Sequence, residues 1–533
     1  MLAPMCYNRV RLQDEPVPMV SKPFGQALAT PAKTARPSPE SVVLIALITI
    51  CAILFVYLSV ARHYTFSTAA YDLAMYDQAV WNTSQGRWFE INLLEDTMPD
   101  LTNKLGDHVE PILLPIALLY RLRANADVLL ILQALALAAL IWPLYHVVWH
   151  LTGRLLLAGV AVALYLAHPA MWNALLFDFH PVTLAAAFLM FALWMLIQKK
   201  RTACLIFALL AMACKEHIGL IVAMFGVYAV LFQKSERRLG AVLIAMGLAG
   251  SILAIGVVNP AYQPSGASYY LNRYSKVGSS IGEILLAPLT KPDVVWATLT
   301  GPKRISYYGD LLLPLGGLPL LGPAFILPVL PDIALNTFSA FAPARTLDAH
   351  YAVMIAPFLI LAAIWGADRL AHWLSTRFGD PQRYDTRASG LRVFLESIAQ
   401  RRAILVLASA WLIVSMAAYH LHNYGTFLPL SGRYVSTYVS EPRDAVGLRL
   451  ATRIPAAAVV SAQFNLVPHI SQRRRAHIFP RIDDAEYVFL DTHGVIEPFQ
   501  TQAEYQSAVE ALRNDPAFEV AAEEEGFILM SRR

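Results

Sequence analysis

The apolar run from Ser41 to Arg62 is long enough to cross a lipid bilayer as a helix, and it is the first of a series. Further runs near 127–149, 155–171, 182–198, 202–215, 217–233, 239–258, 307–320, 321–336, 350–369 and 403–420 bring the expected total to about eleven spans. Composition agrees. Of 533 residues, 57% are hydrophobic and 15% charged, where soluble domains carry roughly 25% charged residues. These values exclude a water-soluble globular protein, and a mainly α, polytopic helical membrane fold is expected. The first run is too long for a signal-peptide core and no small-residue cleavage pattern follows it, so it reads as an uncleaved anchor. Cys51, Cys204 and Cys214 lie inside apolar runs and Cys6 lies in the tail, which offers neither a disulfide framework nor a zinc ligand set.

Charge orients the chain. Arg9, Arg11, Lys22, Lys33 and Arg36 precede the anchor and place the amino terminus in the cytoplasm. The loop 63–107 carries Asp72, Asp77, Glu90, Glu95, Asp96, Asp100 and Asp107 against Arg87 and Lys104, so it is expected outside. Three basic loops, 198–201, 233–238 and 369–402, then fall inside. The expected layout is a disordered, proline-rich cytoplasmic tail over 1–40, a transmembrane domain over 41–420 and a soluble extracytoplasmic α/β domain over 421–533. The expected location is the inner (plasma) membrane, crossed many times. Residues 111–121 are apolar but too short to span, which fits an interfacial or re-entrant helix. Within 421–533, Ala456–Ser461 and Tyr487–Asp491 read as buried strands, 502–514 as an amphipathic helix and Phe518–Ser531 as a strand pair. The domain has no GxGxxG or Walker loop.

With this topology six polar groups converge on the outer face: Asp72/Asp77, Asp107-His108-Glu110, Asp178-Phe179-His180, Lys215-Glu216-His217, Asp332/Asn336 and His350-Tyr351. Ionisable groups near lipid are costly and mark sites. Asp72 and Asp77 are five residues apart, so on a helix they point about 140° apart and need not serve one partner. A partly desolvated carboxylate suits a general base, and Asp72, first after the anchor, is preferred over Asp77. The alternative is that either aspartate caps or solvates an interfacial helix. Asp107, His108 and Glu110 could hold a divalent cation, or Asp107 could cap a helix starting at Pro111. Asp178 could orient His180 or cap the helix beginning at Pro181. Lys215 would attract a lipid-linked phosphate, or pair structurally with Glu216. His350-Tyr351 starts an outward-facing span end, where a lone histidine is more often structural than a binding group. The stretch Pro314–Pro331 reads as a broken helix, tolerated where protein or water satisfies the freed backbone. The basic run His469–Arg475 reads as a solvated loop, or as a contact for headgroups or an anionic substrate.

Several of these motifs occur together: Tyr71–Asn82, Gly106–Pro111, Phe177–Pro181, Lys215-Glu216-His217, and Leu318–Pro323 with Leu330-Pro331-Asp332. In combination, over roughly residues 41–490, they resemble a bacterial and archaeal family of predicted polytopic membrane proteins catalogued as a domain of unknown function. More remotely, the layout is similar to the GT-C glycosyltransferase superfamily, which keeps an acidic residue in its first external loop. That resemblance implies a membrane lipid and a polyprenyl-phosphate-linked sugar donor as partners, with no nucleic acid. It implies sugar transfer to an extracytoplasmic acceptor, with Asp72 or Asp77 taking the acceptor proton. Lys215 and His108 would meet the departing phosphate, with Glu216, His217, His180 and His350 nearby. Asp107, Glu110, His180 or Asp178 would hold any divalent metal ion. Many members have closely paired acids in that loop, whereas here four residues separate Asp72 from Asp77. The competing readings are a transporter or flippase of a lipid-linked or small anionic solute, and a non-catalytic protein of envelope assembly.

Overall fold

The computed structural model describes residues 38–94, 97–266, 269–378 and 400–533. The expected disordered tail up to residue 37, and most of the basic loop 369–402, lie outside the described residues. The fold is mainly helical. The helix Pro39–Tyr64 opens with proline and Glu40 in its first turn and ends on Arg62 and His63, charges that suit the two ends of its dipole. Leu44, Cys51, Phe55 and Leu58 form its one buried stripe, while Val43, Ile50, Ile53 and Tyr57 stay exposed, as on a helix facing lipid.

Five described helices are long and apolar enough to cross a membrane: Pro39–Tyr64, Asp127–Thr152, Lys234–Tyr262, Ile355–Arg377 and Arg401–Tyr438. A sixth span is formed if the pair Leu155–Ala167 and Pro169–Leu175, bent by 48°, counts as one. The bend falls at His168, which has extended backbone and accepts a hydrogen bond from Ala170 N through Nδ1 (3.2 Å), with Pro169 starting the next helix. Pro181–Ile197, Arg201–Met212 and Ile218–Phe232 are apolar but shorter.

The expected spans 307–320 and 321–336 are not continuous helices. After the helix Pro302–Leu312 the chain runs through short 3-10 turns at Leu313–Leu315, Leu318–Leu321, Pro323–Phe325 and Leu327–Val329 before the helix Leu330–Phe338. Pro314, Pro319, Pro323, Pro328 and Pro331 each remove a backbone donor. Gly316 and Gly317 take positive φ, 58° and 73°, and Gly316 accepts a 3.0 Å hydrogen bond from the Trp411 indole.

Helices Ile218–Phe232 and Arg237–Leu253 form the most intimate pair. Gly219 faces Gly247 and Gly226 faces Gly240, and a Cβ at any of the four would collide with backbone of the partner helix. Small residues at this spacing let helices approach in lipid, where there is no hydrophobic gain from association. The pair carries Lys215-Glu216-His217 at its start, and Ser251 fastens that turn by donating to the Glu216 carbonyl (2.9 Å).

The first loop folds into a π-helical turn, Ala70–Ala74, continued by the helix Met75–Ser84, with Leu113–Tyr120 packed against it. That last helix has 8 residues, about 12 Å, and cannot span. The carboxyl-terminal part holds a five-stranded sheet: β1 (Val460–Ala462), β2 (Ala476–Ile478), β3 (Tyr487–Asp491), β4 (Phe518–Glu524) and β5 (Phe527–Arg532), in the order β2-β1-β3-β5-β4. The β1 pairings are parallel and those of β5 antiparallel. Alternation sorts the side chains between two cores. Val488, Leu490, Ile528 and Met530 pack with Tyr505, Val509 and Leu512 of the helix Gln502–Arg513. Phe489, Phe527 and Leu529 pack with Phe66, Ala70, Ala74 and Leu93 of the first loop. The sheet therefore rests on the loop that carries Asp72 and Asp77. β2 has no counterpart among the expected strands, and β1 overlaps only the end of the expected strand Ala456–Ser461.

Candidate active site

Asp72 sits on the π-helical turn, a geometry that often accompanies functional positions. Its side chain is 30% exposed, and its Oδ1 lies 3.2 Å from Nε2 of His180. His180 is fixed from behind. Its backbone N–H donates to Gln133 Oε1 (3.0 Å), and its Nδ1 donates to the Asp178 carbonyl (3.1 Å). Asp178 does not orient the imidazole through its side chain. One oxygen pairs with Arg62 at 2.7 Å, and the other accepts from the backbone N–H groups of Ala69 (2.6 Å) and Leu73 (3.4 Å). It caps the turn that bears Asp72, not the helix at Pro181, and ties that turn to the end of the anchor.

His350 stacks on His180 at 3.6 Å between ring centres. Burial, and then the neighbouring His180, Lys215, His108 and Arg273, hold its imidazole well below the usual range, so the ring is neutral. His350 also lines a cavity of about 260 Å³, together with Lys215, His217, Arg273, Asp332 and Tyr351 on its polar side and Leu220, Ile284, Leu285 and Met354 on its apolar side.

The triplet Lys215-Glu216-His217 divides its duties. Glu216 accepts from His108 Nδ1 (2.9 Å) and from the Val109 N–H (3.1 Å). Burial pushes Glu216 up, but His108, Lys215 and His217 outweigh it and hold the carboxylate well below its usual range. His108, stacked on Tyr270 at 4.4 Å, is thereby locked as a donor to Glu216. His217 Nε2 lies 3.5 Å from Asp332 Oδ1. Lys215 has no hydrogen bond or ion pair among the described residues, so the expected structural pair with Glu216 is not formed, and the ammonium faces the cavity uncommitted. Arg273 is the cation that sequence reasoning missed. It lies over the Tyr270 and Phe341 rings, 4.3 Å from each. The signal was a lone basic residue inside the aromatic run Tyr269–Tyr274.

Asp107 and Glu110 do not form a metal site. Both grip Lys104, at 2.6 and 2.8 Å, and the ammonium is fully buried over the Tyr76 ring at 4.6 Å. Burial lowers Lys104 and raises Asp107, yet their mutual attraction prevails: the lysine is driven up and Asp107 well down. Tyr76 donates to Glu110 (2.9 Å) and Tyr270 to Asp107, so the carboxylates have no oxygen free for a cation. Among the described residues no group of three or more His, Cys, Asp or Glu could hold a metal ion.

Asp77 is fully buried, away from this cavity. It accepts from Tyr120 (2.7 Å), Ser471 (2.6 Å) and Gln472 (2.9 Å). Burial pushes its carboxyl up to about 6 against the downward pull of those three donors. The run His469–Arg475 is solvated only at its end, where Arg474 and Arg475 are exposed. His469 is half-buried and stacks on His63 with ring centres 4.1 Å apart, and Arg473 is buried and donates to the Pro455 and Ala458 carbonyls.

The sequence pattern of a family described as "Predicted membrane protein (DUF2079)" matches residues 62–529. The chain belongs to this family. No curated protein sequence matches the chain. Among solved structures, this DUF2079 member is similar to ArnT from Cupriavidus metallidurans bound to undecaprenyl phosphate. The TM-score is 0.51 at 14% identity, over 92% of this chain and 98% of that one. The same ArnT in the apo state gives 0.48 at 13% identity, with the same coverage. The archaeal oligosaccharyltransferase AglB from Archaeoglobus fulgidus, in complex with an inhibitory peptide and a dolichol-phosphate, gives 0.35 at 13% identity, over 86% of this chain and 70% of that one. The DUF2079 chain is a membrane protein with a GT-C-like fold.

Proposed function

We propose that this chain is a membrane glycosyltransferase that moves a sugar from a polyprenyl-phosphate donor to an acceptor on the non-cytoplasmic side. One observation carries this reading: the partly exposed Asp72 is linked through His180 and His350 to a half-apolar cavity that contains an uncommitted lysine. An apolar wall suits a polyprenyl chain and Lys215 suits a phosphate. The similar ArnT, solved with undecaprenyl phosphate bound, supports the same class of ligand.

The chemistry follows from these positions. His180 faces Asp72 Oδ1, while Oδ2 makes no hydrogen bond among the described residues. That oxygen takes the proton of an acceptor hydroxyl. The acceptor oxygen bonds to the anomeric carbon as the bond from that carbon to the phosphate oxygen breaks, which inverts the centre in one displacement. The electron pair leaves with the phosphate, and Lys215 meets the added charge. Asp77, with no exposed surface, is a poor candidate for the base. The basic loops favour an inner-membrane protein with a cytoplasmic amino terminus and an extracytoplasmic domain over 421–533 that helps select the acceptor.

The test is sugar transfer in proteoliposomes from defined polyprenyl-phosphate sugars, comparing the wild type with Asp72→Asn and Asp77→Asn. Transfer abolished by Asp72→Asn supports the enzyme. Solute flux without transfer, retained by both variants, would overturn it in favour of a transporter. Cysteine labelling that finds position 72 on the cytoplasmic face would overturn the topology.

A further inference from the structure

The cavity has a second polar feature that phosphate does not explain. Asp332 is 4% exposed, and its Oδ2 has no hydrogen-bond partner among the described residues. The same holds for Nδ1 of His350, which is 6% exposed. Both residues line the cavity that contains Lys215 and Arg273. A buried carboxylate oxygen without a donor is costly, and a neutral imidazole nitrogen without a partner is costly too. An anion does not relieve the cost at Asp332, because a phosphate brings negative charge that the carboxylate repels. What relieves both is a ligand with hydroxyl groups, each able to donate to a carboxylate and to donate or accept at an imidazole. The cavity therefore joins cations, which suit a phosphate, to uncommitted acceptors, which suit a polyol.

We infer that Asp332, together with His350, recognises the hydroxyl groups of the donor's sugar ring and so determines which glycosyl phosphate is accepted. This rests on the glycosyltransferase reading and assigns the part of the site that reads the sugar. Asp332 is placed for it by its helix. It stands in the first turn of Leu330–Phe338, and Asn336, one turn on, is anchored by donating to the Tyr307 hydroxyl (3.2 Å) and to the Tyr351 carbonyl (3.4 Å). His217 Nε2 stands 3.5 Å from Asp332 Oδ1, beside the other oxygen, and leaves Oδ2 open to the ligand.

The experiment measures dissociation constants of the full chain in lipid nanodiscs for two kinds of probe. One is bare undecaprenyl phosphate. The other is a panel of undecaprenyl phosphate esters of glucose, galactose, mannose and arabinose. In the wild type at least one ester binds about tenfold or more tighter than the bare lipid, and Asp332→Asn removes most of that difference without weakening bare-lipid binding, since the lost carboxylate only repelled the phosphate. Lys215→Met weakens both probes together. Monodeoxy versions of the preferred ester, tested on the wild type alone, lose about tenfold at one hydroxyl position, so the inference stays testable if Asp332→Asn fails to fold. Equal binding of bare lipid and every ester by the wild type overturns the inference, as does an undiminished preference in Asp332→Asn. Failure of bare undecaprenyl phosphate to bind, or its indifference to Lys215→Met, instead overturns the underlying functional reading.

Discussion

His180 presents Nε2 to Asp72 Oδ1 at 3.2 Å while its Nδ1 is committed to the Asp178 carbonyl. A carbonyl only accepts, so Nδ1 carries the hydrogen of that bond, and the ring is held with Nε2 turned toward the carboxylate. His180 thus orients Asp72, acting through the aspartate and not on the substrate. Asp72→Asn should reduce transfer by about 10²–10⁴-fold. His180→Gln should lower kcat by roughly tenfold or more with the donor KM little changed, because the donor cavity is intact. Steady-state kinetics of both variants check this; a His180→Gln effect confined to KM would assign it to binding.

Asp77 ties the first loop to the carboxyl-terminal domain through Ser471 and Gln472. Its folded value, about 6, lies above the ordinary 3.8. Between those values the unfolded chain has released a proton that the folded chain keeps, so this group's contribution falls as pH rises from about 4 to about 6, by up to about 3 kcal/mol. Asp77→Asn removes the titration and keeps the shape. Thermal unfolding of the two proteins should show a stability difference that changes across that window and is level on either side of it.

The long apolar runs were readable because lipid imposes a length on each span. The clusters around Asp72, His108, His180, Lys215 and His350 were readable as polar groups at the ends of apolar runs. Their partners were not. Spacing places Asp107 and Glu110 within one turn, but nothing local says that Lys104 fills the space between them and leaves no room for a cation. Nor does it say that Asp77 turns toward a domain almost 400 residues later, since Ser471 is 394 positions away. Pairing of this kind is set by packing between distant segments, which carries no period.

Lys104 is an internal charge whose two carboxylates depend on it. Lys104→Met would leave Asp107 and Glu110 facing each other without a cation, a change expected to cost about 3–5 kcal/mol. The expected outcome is loss of a monodisperse peak on gel filtration, or a large drop in unfolding temperature. A triple replacement, Lys104→Met with Asp107→Asn and Glu110→Gln, should recover part of that loss. No recovery would mean that the lysine's packing, and not its charge, is what matters.

The glycine contacts between Ile218–Phe232 and Arg237–Leu253 set the position of Lys215. At Gly247 an added Cβ meets the backbone of Gly219 and Ala223, which cannot yield, whereas at Gly256 nothing lies within 4 Å. Gly247→Leu should therefore separate the two helices and destabilise the protein by about 1–3 kcal/mol. It should also weaken undecaprenyl phosphate binding, because the 215–217 turn is anchored to this pair through Ser251. Gly256→Ala should do neither. Unfolding temperature and lipid-phosphate affinity, measured on both variants, decide the point: a Gly247→Leu protein that keeps wild-type affinity would show that Lys215 is positioned by something other than this helix contact.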